Sequence, residues 1–321
     1  MQIDNVLPNK LNFNITVIIV TYNGMRWYEK CFNSLRNSTI PLNTIVIDNN
    51  SSDNTIDYIK ENYPEIHLVE SDVNLGFGKA NNVGLEYALK QDADYVYLLN
   101  QDAWLKSDTI EKMVQIAETQ PEFGVVSPIH LSGDEKKIDF NQMYHLSPIY
   151  CPGMASDFFL QGKLKDKIYE IEFVNAAHWL ISKKCVETVG GFSSLFFLYG
   201  EDNNYLNRAK YFGFKVGLYP HAFGIHDRFK EERHNTSYKK KKVIERSTSF
   251  YILANIQIRI KRCLKDVLYY NLSNSLYNLI NLNIKYSFLH ILILLETLFS
   301  LNKVQKHRCI SGAQGAYLRK E

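Results

Sequence analysis

Over its first 125 residues the chain alternates β-branched runs with segments of helical period, and few architectures accept that pattern. Residues 15–20 read ITVIIV, a continuous run typical of a strand buried on both faces of a parallel sheet. Residues 44–47 repeat the signal, 67–70 give a weaker strand, and 95–99 give a fourth. Helical periodicity fills the gaps at 27–35, 53–62 and 79–89, with Ser51 or Ser52 able to cap the second of these. A further helix is expected near 107–118, capped by Ser107 or Asp108. This alternation predicts a right-handed, doubly wound α/β sheet. From 132 to 172 the periodicity dissolves, which reads as a mobile loop or an acceptor-side excursion. It returns as a strand over 173–181, a short helix over 184–189 ended by Gly190-Gly191, a helix from about 201 to 212 stopped by Gly213, and a strand over 215–219. Beyond residue 239 the pattern is helical and contains an apolar stretch at 288–301.

Charge is unevenly spread. Residues 1–227 carry nineteen basic against twenty-eight acidic side chains, whereas residues 228–265 carry twelve against three. An acidic body with a basic segment suits an anionic partner such as lipid headgroups or nucleic acid, or simply a solvated helix face. Five cysteines are scattered without a Cys-x-x-Cys pair, which argues against a zinc ribbon or a disulfide framework and for a reducing compartment. The first residues hold no apolar stretch of signal-peptide length, so a cytoplasmic location is expected.

Open parallel sheets bind ligands beyond the carboxyl ends of their strands, where loops and helix N-termini converge. Each of the first four strands is followed by a polar cluster: Thr21-Tyr22-Asn23-Gly24, Asp48-Asn49-Asn50-Ser51-Ser52, Asn74-Leu75-Gly76-Phe77-Gly78, and Asn100-Gln101-Asp102. Singly, each reads as turn chemistry or a helix cap; four at one sheet edge indicate a nucleotide site. A dinucleotide fold would need GxGxxG directly after the first strand, and a phosphate loop would need GxxxxGK[ST]; the chain has neither.

The segments 17–24 (VIIVTYNG), 46–53 (VIDNNSSD), 74–82 (NLGFGKANN) and 98–102 (LLNQD) resemble family 2 glycosyltransferases, specifically the bacterial rhamnosyltransferase-like branch. Gly190-Gly191-Phe192, residues 197–202 (FLYGED), Arg208, Gly213 and His226 extend the resemblance over about 16–226. It implies a GT-A fold, a mixed doubly wound sheet, inversion at the sugar carbon, a UDP- or dTDP-linked sugar donor and a divalent cation. By position, Thr21, Tyr22, Asn23, Asp48, Asn74, Gly76, Gly78, Asn100 and Asp102 then fall to the donor. Asp48 would meet the base, and the two glycines would admit ribose or diphosphate close to the backbone. Asp102, with His226, would hold Mn²⁺ or Mg²⁺, the imidazole favouring Mn²⁺. The family's usual Asp-x-Asp stands here as Asn100-Gln101-Asp102, one carboxylate fewer. Asp202 would be the general base that inversion requires, and Glu201 its positioning neighbour. His178 and Trp179 interrupt an apolar strand and become acceptor candidates, although a core tryptophan fits equally.

The organisation expected is a catalytic domain over 1–227, binding donor over about 14–125 and acceptor over about 126–227, followed by a basic helical extension over 228–321. Among competing functions, a sugar nucleotidyltransferase would want an Arg/Lys-bearing glycine loop after the first strand. A processive synthase would add Gln-x-x-Arg-Trp. A nucleic-acid binder using lysines 239–242 would want interleaved aromatics. None of these features is present, and no nucleic-acid partner is expected. The stretch 288–301 is shorter than the roughly 20 apolar residues that span a bilayer. It therefore suits a buried helix packing on the catalytic domain, peripheral association with the cytoplasmic leaflet next to a glycan or lipid-linked acceptor, or a homodimer interface.

Overall fold

The computed structural model describes residues 13–228 and 237–318; the flanks of the two expected domains at 1–12, 229–236 and 319–321 lie outside them. The chain runs β1 (Ile15–Thr21), α1 (Met25–Arg36), β2 (Asn43–Asp48), α2 (Thr55–Asn62), β3 (His67–Glu70), α3 (Phe77–Lys90), β4 (Tyr95–Asn100), β5 (Ala103–Leu105) and α4 (Thr109–Thr119). It continues through β6 (Phe123–Ser132), α5 (Phe140–His145), α6 (Pro152–Gln161), β7 (Tyr169–Glu170), β8 (His178–Ser182), α7 (Lys183–Val189), α8 (Glu201–Tyr211) and β9 (Lys215–His226). Four helices follow: α9 (Tyr238–Ala254), α10 (Ile260–Ile280), α11 (Ile284–Phe299) and α12 (Leu301–Ser311).

The strands form one sheet in the order β3-β2-β1-β4-β8-β6-β9-β5, with β7 paired to β9. β3, β2, β1 and β4 are mutually parallel, β8 is antiparallel to both neighbours, and β6 and β9 are parallel to each other. The mixed, doubly wound sheet is therefore as expected. Period-two alternation explains its two cores: Ile15, Val17 and Ile19 of β1 pack with Tyr28 and Phe32 of α1, while Ile18 faces Leu85 and Ala88 of α3. A third core joins Leu195 and Phe196 to Phe250 and Leu253 of α9, Val267 of α10 and Leu294 of α11.

The stretch 132–172 is not one loop: it holds α5 and α6, and the ten-residue β6 before it had no clear sequence signal. The strand expected over 173–181 begins only at His178. Ser51 and Ser52 do not cap α2, whose N-cap is Asn54, because Ser51 bonds to Asp48 instead.

Candidate active site

The strand ends converge as their polar tails suggested. Asp48 at the end of β2 is fully buried; its carboxylate accepts from Thr21 Oγ1 at 3.1 Å, Ser51 Oγ at 2.6 Å and Ser51 N at 2.9 Å. Thr21 is likewise buried, so these two residues brace the loops from beneath, and a base N–H reaching Asp48 would have to take the place of Ser51. The ladder continues outward, because Asn23 N donates to Ser51 Oγ and Ser52 N donates to Asn23 Oδ1. Asn23 holds a φ of 49°, a left-handed conformation that Asn tolerates better than most side chains.

Over this frame lies an open cavity of about 480 Å³ lined by Tyr22, Asn23, Met25, Arg26, Trp27, Asp53 and Gln101. Gln101 fixes its wall by pairing with the backbone of Tyr22, accepting from its N–H at 2.8 Å and donating to its carbonyl at 3.2 Å. The Arg26 guanidinium stacks 3.8 Å from the Trp27 ring, and Trp27 Nε1 donates to Asp227 at 3.2 Å. In the sequence Gln101 stands in the polar cluster after β4 and Asp53 ends the segment 46–53, but neither has an assigned role, and nothing in the spacing marks Arg26 or Trp27.

Asn74, Gly76 and Gly78, expected to lie along the donor, also serve the chain's own packing. Asn74 Oδ1 accepts from Gly76 N and Asn49 Nδ2. Gly76 sits at a φ of 77°, and a Cβ there would meet the Phe197 carbonyl oxygen at 2.3 Å; one on Gly78 would meet Phe192 Cβ at 2.9 Å. The glycines dock the start of α3 against the segment leading to α8, and Phe77 N bonds to that same carbonyl.

Antiparallel pairing of β5 with β9 sets Ala103 opposite His226, which brings Asp102 beside His226 with Oδ1 and Nε2 3.4 Å apart. Burial pushes the Asp102 carboxyl up, but His226 and Arg228 outweigh it and hold the group below its ordinary value. Asn100 Oδ1 is buried with no hydrogen-bond partner. No third His, Cys, Asp or Glu joins the pair among the described residues. One carboxylate, one imidazole and an unpartnered amide oxygen nearby fit a cation that completes its shell with phosphate oxygens and water.

At the start of α8, Tyr199 and Gly200 take left-handed φ values of 67° and 82° and turn the chain so that Glu201 and Asp202 open the helix. Burial first, and the charge of Asp202 second, push the Glu201 carboxyl up to about 8. Burial also raises Asp202, opposed by its hydrogen bonds with Asn203 and by the charge of Arg228. Arg228 thus acts on both Asp102 and Asp202, and it also pairs with buried Asp139 at 3.2 Å.

His178 and Trp179, the acceptor candidates, are both fully buried. His178 bridges the Tyr97 hydroxyl and the Ile225 carbonyl, each at 3.1 Å, and burial lowers it to about 3. Trp179 stacks on Phe192 with ring centroids 6.2 Å apart.

The sequence pattern described as Glycosyl transferase family 2 matches residues 16–188. The low-salt glycan biosynthesis hexosyltransferase Agl10 of Haloferax volcanii is 23% identical over 231 residues, covering 70% of this chain and 71% of that protein. The N-acetylglucosaminyl-diphospho-decaprenol L-rhamnosyltransferase of Mycobacterium tuberculosis is 23% identical over 231 residues, covering 66% and 75%. In structure, the mannosyltransferase PcManGT of Pyrobaculum calidifontis, solved with GDP-Man and Mn²⁺, superposes with a TM-score of 0.56 at 17% identity, covering 92% of this chain and 90% of that one.

Proposed function

The chain belongs to glycosyl transferase family 2, as a rhamnosyltransferase-like enzyme of GT-A fold, and from that membership we propose the reaction it performs. It moves one sugar, with inversion, from a nucleoside-diphosphate sugar to a hydroxyl of a lipid-linked glycan or polysaccharide. The observation that carries this reading is the pairing of Asp102 with His226 at 3.4 Å beside the strand ends, with the charge of Arg228 felt by both Asp102 and Asp202.

Tyr22, Asn23 and Gln101 frame the nucleotide, with Asp48 behind Ser51. Asn100, Asp102 and His226 lie toward the diphosphate. A divalent cation, such as the Mn²⁺ with which PcManGT was solved, would be held here by Asp102 and His226 and would supply positive charge to the departing diphosphate. Arg228 adds a fixed positive charge to the same cleft. As the acceptor oxygen bonds to the anomeric carbon, the bond from that carbon to the diphosphate oxygen breaks and the hydroxyl proton passes to Asp202. Burial raises both carboxyls, and repulsion across the Glu201–Asp202 pair favours a single negative charge on it, which the base role assigns to Asp202. The acceptor places the work at the inner face of a membrane.

Supplying UDP-, dTDP- and GDP-linked sugars with lipid-linked acceptors and measuring nucleoside diphosphate release tests the reading. The expected result is release with one donor class and a product of inverted anomeric configuration by NMR. Release with none, or retained configuration, overturns it.

A further inference from the structure

The hairpin of α10 and α11 combines a partly polar interior with an apolar exterior. Beside buried Val267, Leu289, Ile293 and Leu294, its buried face carries polar side chains: Asn271, Ser275 and Asn278 of α10, and Ser287, His290 and Thr297 of α11. They bond across the seam, Ser275 to Ser287 at 2.9 Å and Asn271 to His290 at 3.4 Å, and Asn271 also donates to Ser249 of α9. The outward face is apolar instead, carrying Leu268, Leu272 and Leu276 on α10 and Phe288, Leu292 and Leu295 on α11. The turn joining them is the most exposed part, with Ile280 at 72%, Leu282 at 85% and Ile284 at 68%. A water-facing hairpin keeps its outward face polar. Polar seams with apolar exteriors are how helices pack where lipid surrounds them.

Charge points to the same occupant. Residues 267–284 contain no Asp, Glu, Lys or Arg. Around this uncharged tip sit lysines 239–242 at the start of α9 and Lys285 on α11. They are brought there by Lys241 over the Tyr286 ring at 4.2 Å and Lys285 over the Tyr238 ring at 4.3 Å. Exposed Tyr269 and Tyr277 supply the amphipathic rings favoured at a lipid interface. No single described helix is long and apolar enough to cross a bilayer.

We propose that the α10–α11 tip is a wedge that inserts into the interface of an anionic membrane, its apolar residues among the acyl chains and its lysines against lipid phosphates. α9 links this wedge to the active site, because Ser247 donates to the Leu198 carbonyl just before Glu201 and Asp202. The proposal deepens the lipid-linked acceptor reading but is measured without it.

The test is flotation of the full chain with phosphatidylcholine vesicles, with and without phosphatidylglycerol, at low and high salt. The chain should float with the anionic vesicles and be released by salt. The triple variant Ile280→Glu, Leu282→Glu, Phe288→Glu alters only exposed positions and should partition at least about a hundredfold less. Its melting temperature and nucleotide-sugar affinity should match the parent; the affinity reports separately on the donor reading. Equal flotation of parent and variant, or no flotation of the parent, overturns the wedge. So does a dimer in solution that the triple variant makes monomeric while vesicles are ignored, which would assign the face to a second copy.

Discussion

Glu201 and Asp202 are the same chemistry one peptide apart, and burial divides their work. Glu201 is 6% exposed with Oε2 lacking a partner, whereas Asp202 is half-buried and engages Asn203. Asp202→Asn should cut turnover by about 10²–10⁴ while calorimetry finds donor affinity unchanged; parent-like turnover removes Asp202 from the reaction. Glu201→Gln should keep most activity and change the pH dependence of stability. Its carboxyl lies at about 8 in the fold against 4.5 as a free group, so the native protein holds one more proton than the unfolded chain between those values. Native stability therefore falls as pH rises through that window. Melting temperatures measured across it should decline more steeply for the parent than for Glu201→Gln, and parallel curves refute the assignment. Trp179, fully enclosed beside Phe192 and Tyr205, belongs to folding. Trp179→Leu should cost about 2–4 kcal/mol in denaturant unfolding with the acceptor KM unmoved, whereas a raised KM at intact stability would return it to the acceptor site. In the sequence Trp179 and His178 stood out as polar breaks in an apolar run. The partners that make them core residues, Tyr97, Phe192 and the Ile225 carbonyl, come from distant segments that no local spacing announces.

At the scale of elements, legibility followed how local the signal is. β1 and β4 are nearly continuous apolar runs buried on both faces, and α1, α3 and α8 carry their own period, so each was readable within a few residues of its observed bounds. β6 was not: Gly124, Ser127, Pro128 and His130 interrupt it, and its strand character comes from pairing with β8 and β9 far along the chain. The site divides in the same way. Asp102, His226 and Asp202 were reachable through motif position, while the Gln101 pairing with the Tyr22 backbone depends on β1 and β4 lying side by side. The docking of α3 against the α8 approach gives the element-level prediction. Gly76→Ala combines an unfavourable left-handed φ with a clash on the Phe197 carbonyl, so it should destabilise the protein by more than about 1 kcal/mol. It should also lower turnover by moving Asp202. Urea unfolding and kinetics on the same variant check both, and a neutral result would mean that the loop has slack.

For the molecule as a whole, the helical extension behaves as part of the catalytic body. Leu195 and Phe196, just before the Tyr199-Gly200 turn, are buried against α9, α10 and α11 in one apolar cluster. Arg308 of α12 donates to the carbonyls of Leu253, Asn255 and Ile258, fastening the last helix across the α9–α10 junction. The chain then returns to the sheet domain: Gly191 N donates to the Ala316 carbonyl at 2.8 Å, Gly315 N donates to Thr188, and Asn82 reaches Tyr317. Arg208 of α8 lies within 5.1 Å of the Tyr317 ring and donates to the Val189 carbonyl. The tail thus closes over the joint between α3, α7 and α8, the helices that set Glu201 and Asp202. A boundary near 227 in sequence is then not a boundary in stability. Removing residues 313–321, of which none among the described residues lines the cavity, should lower the melting temperature by several degrees, since each kcal/mol lost corresponds to roughly 2–4 °C for a chain of this size. Turnover should fall with it, and unfolding of the parent should be one transition by both fluorescence and circular dichroism. A truncated chain with parent-like melting and turnover, or a parent that melts in two steps, would show that the extension is a separate unit merely tethered to the enzyme.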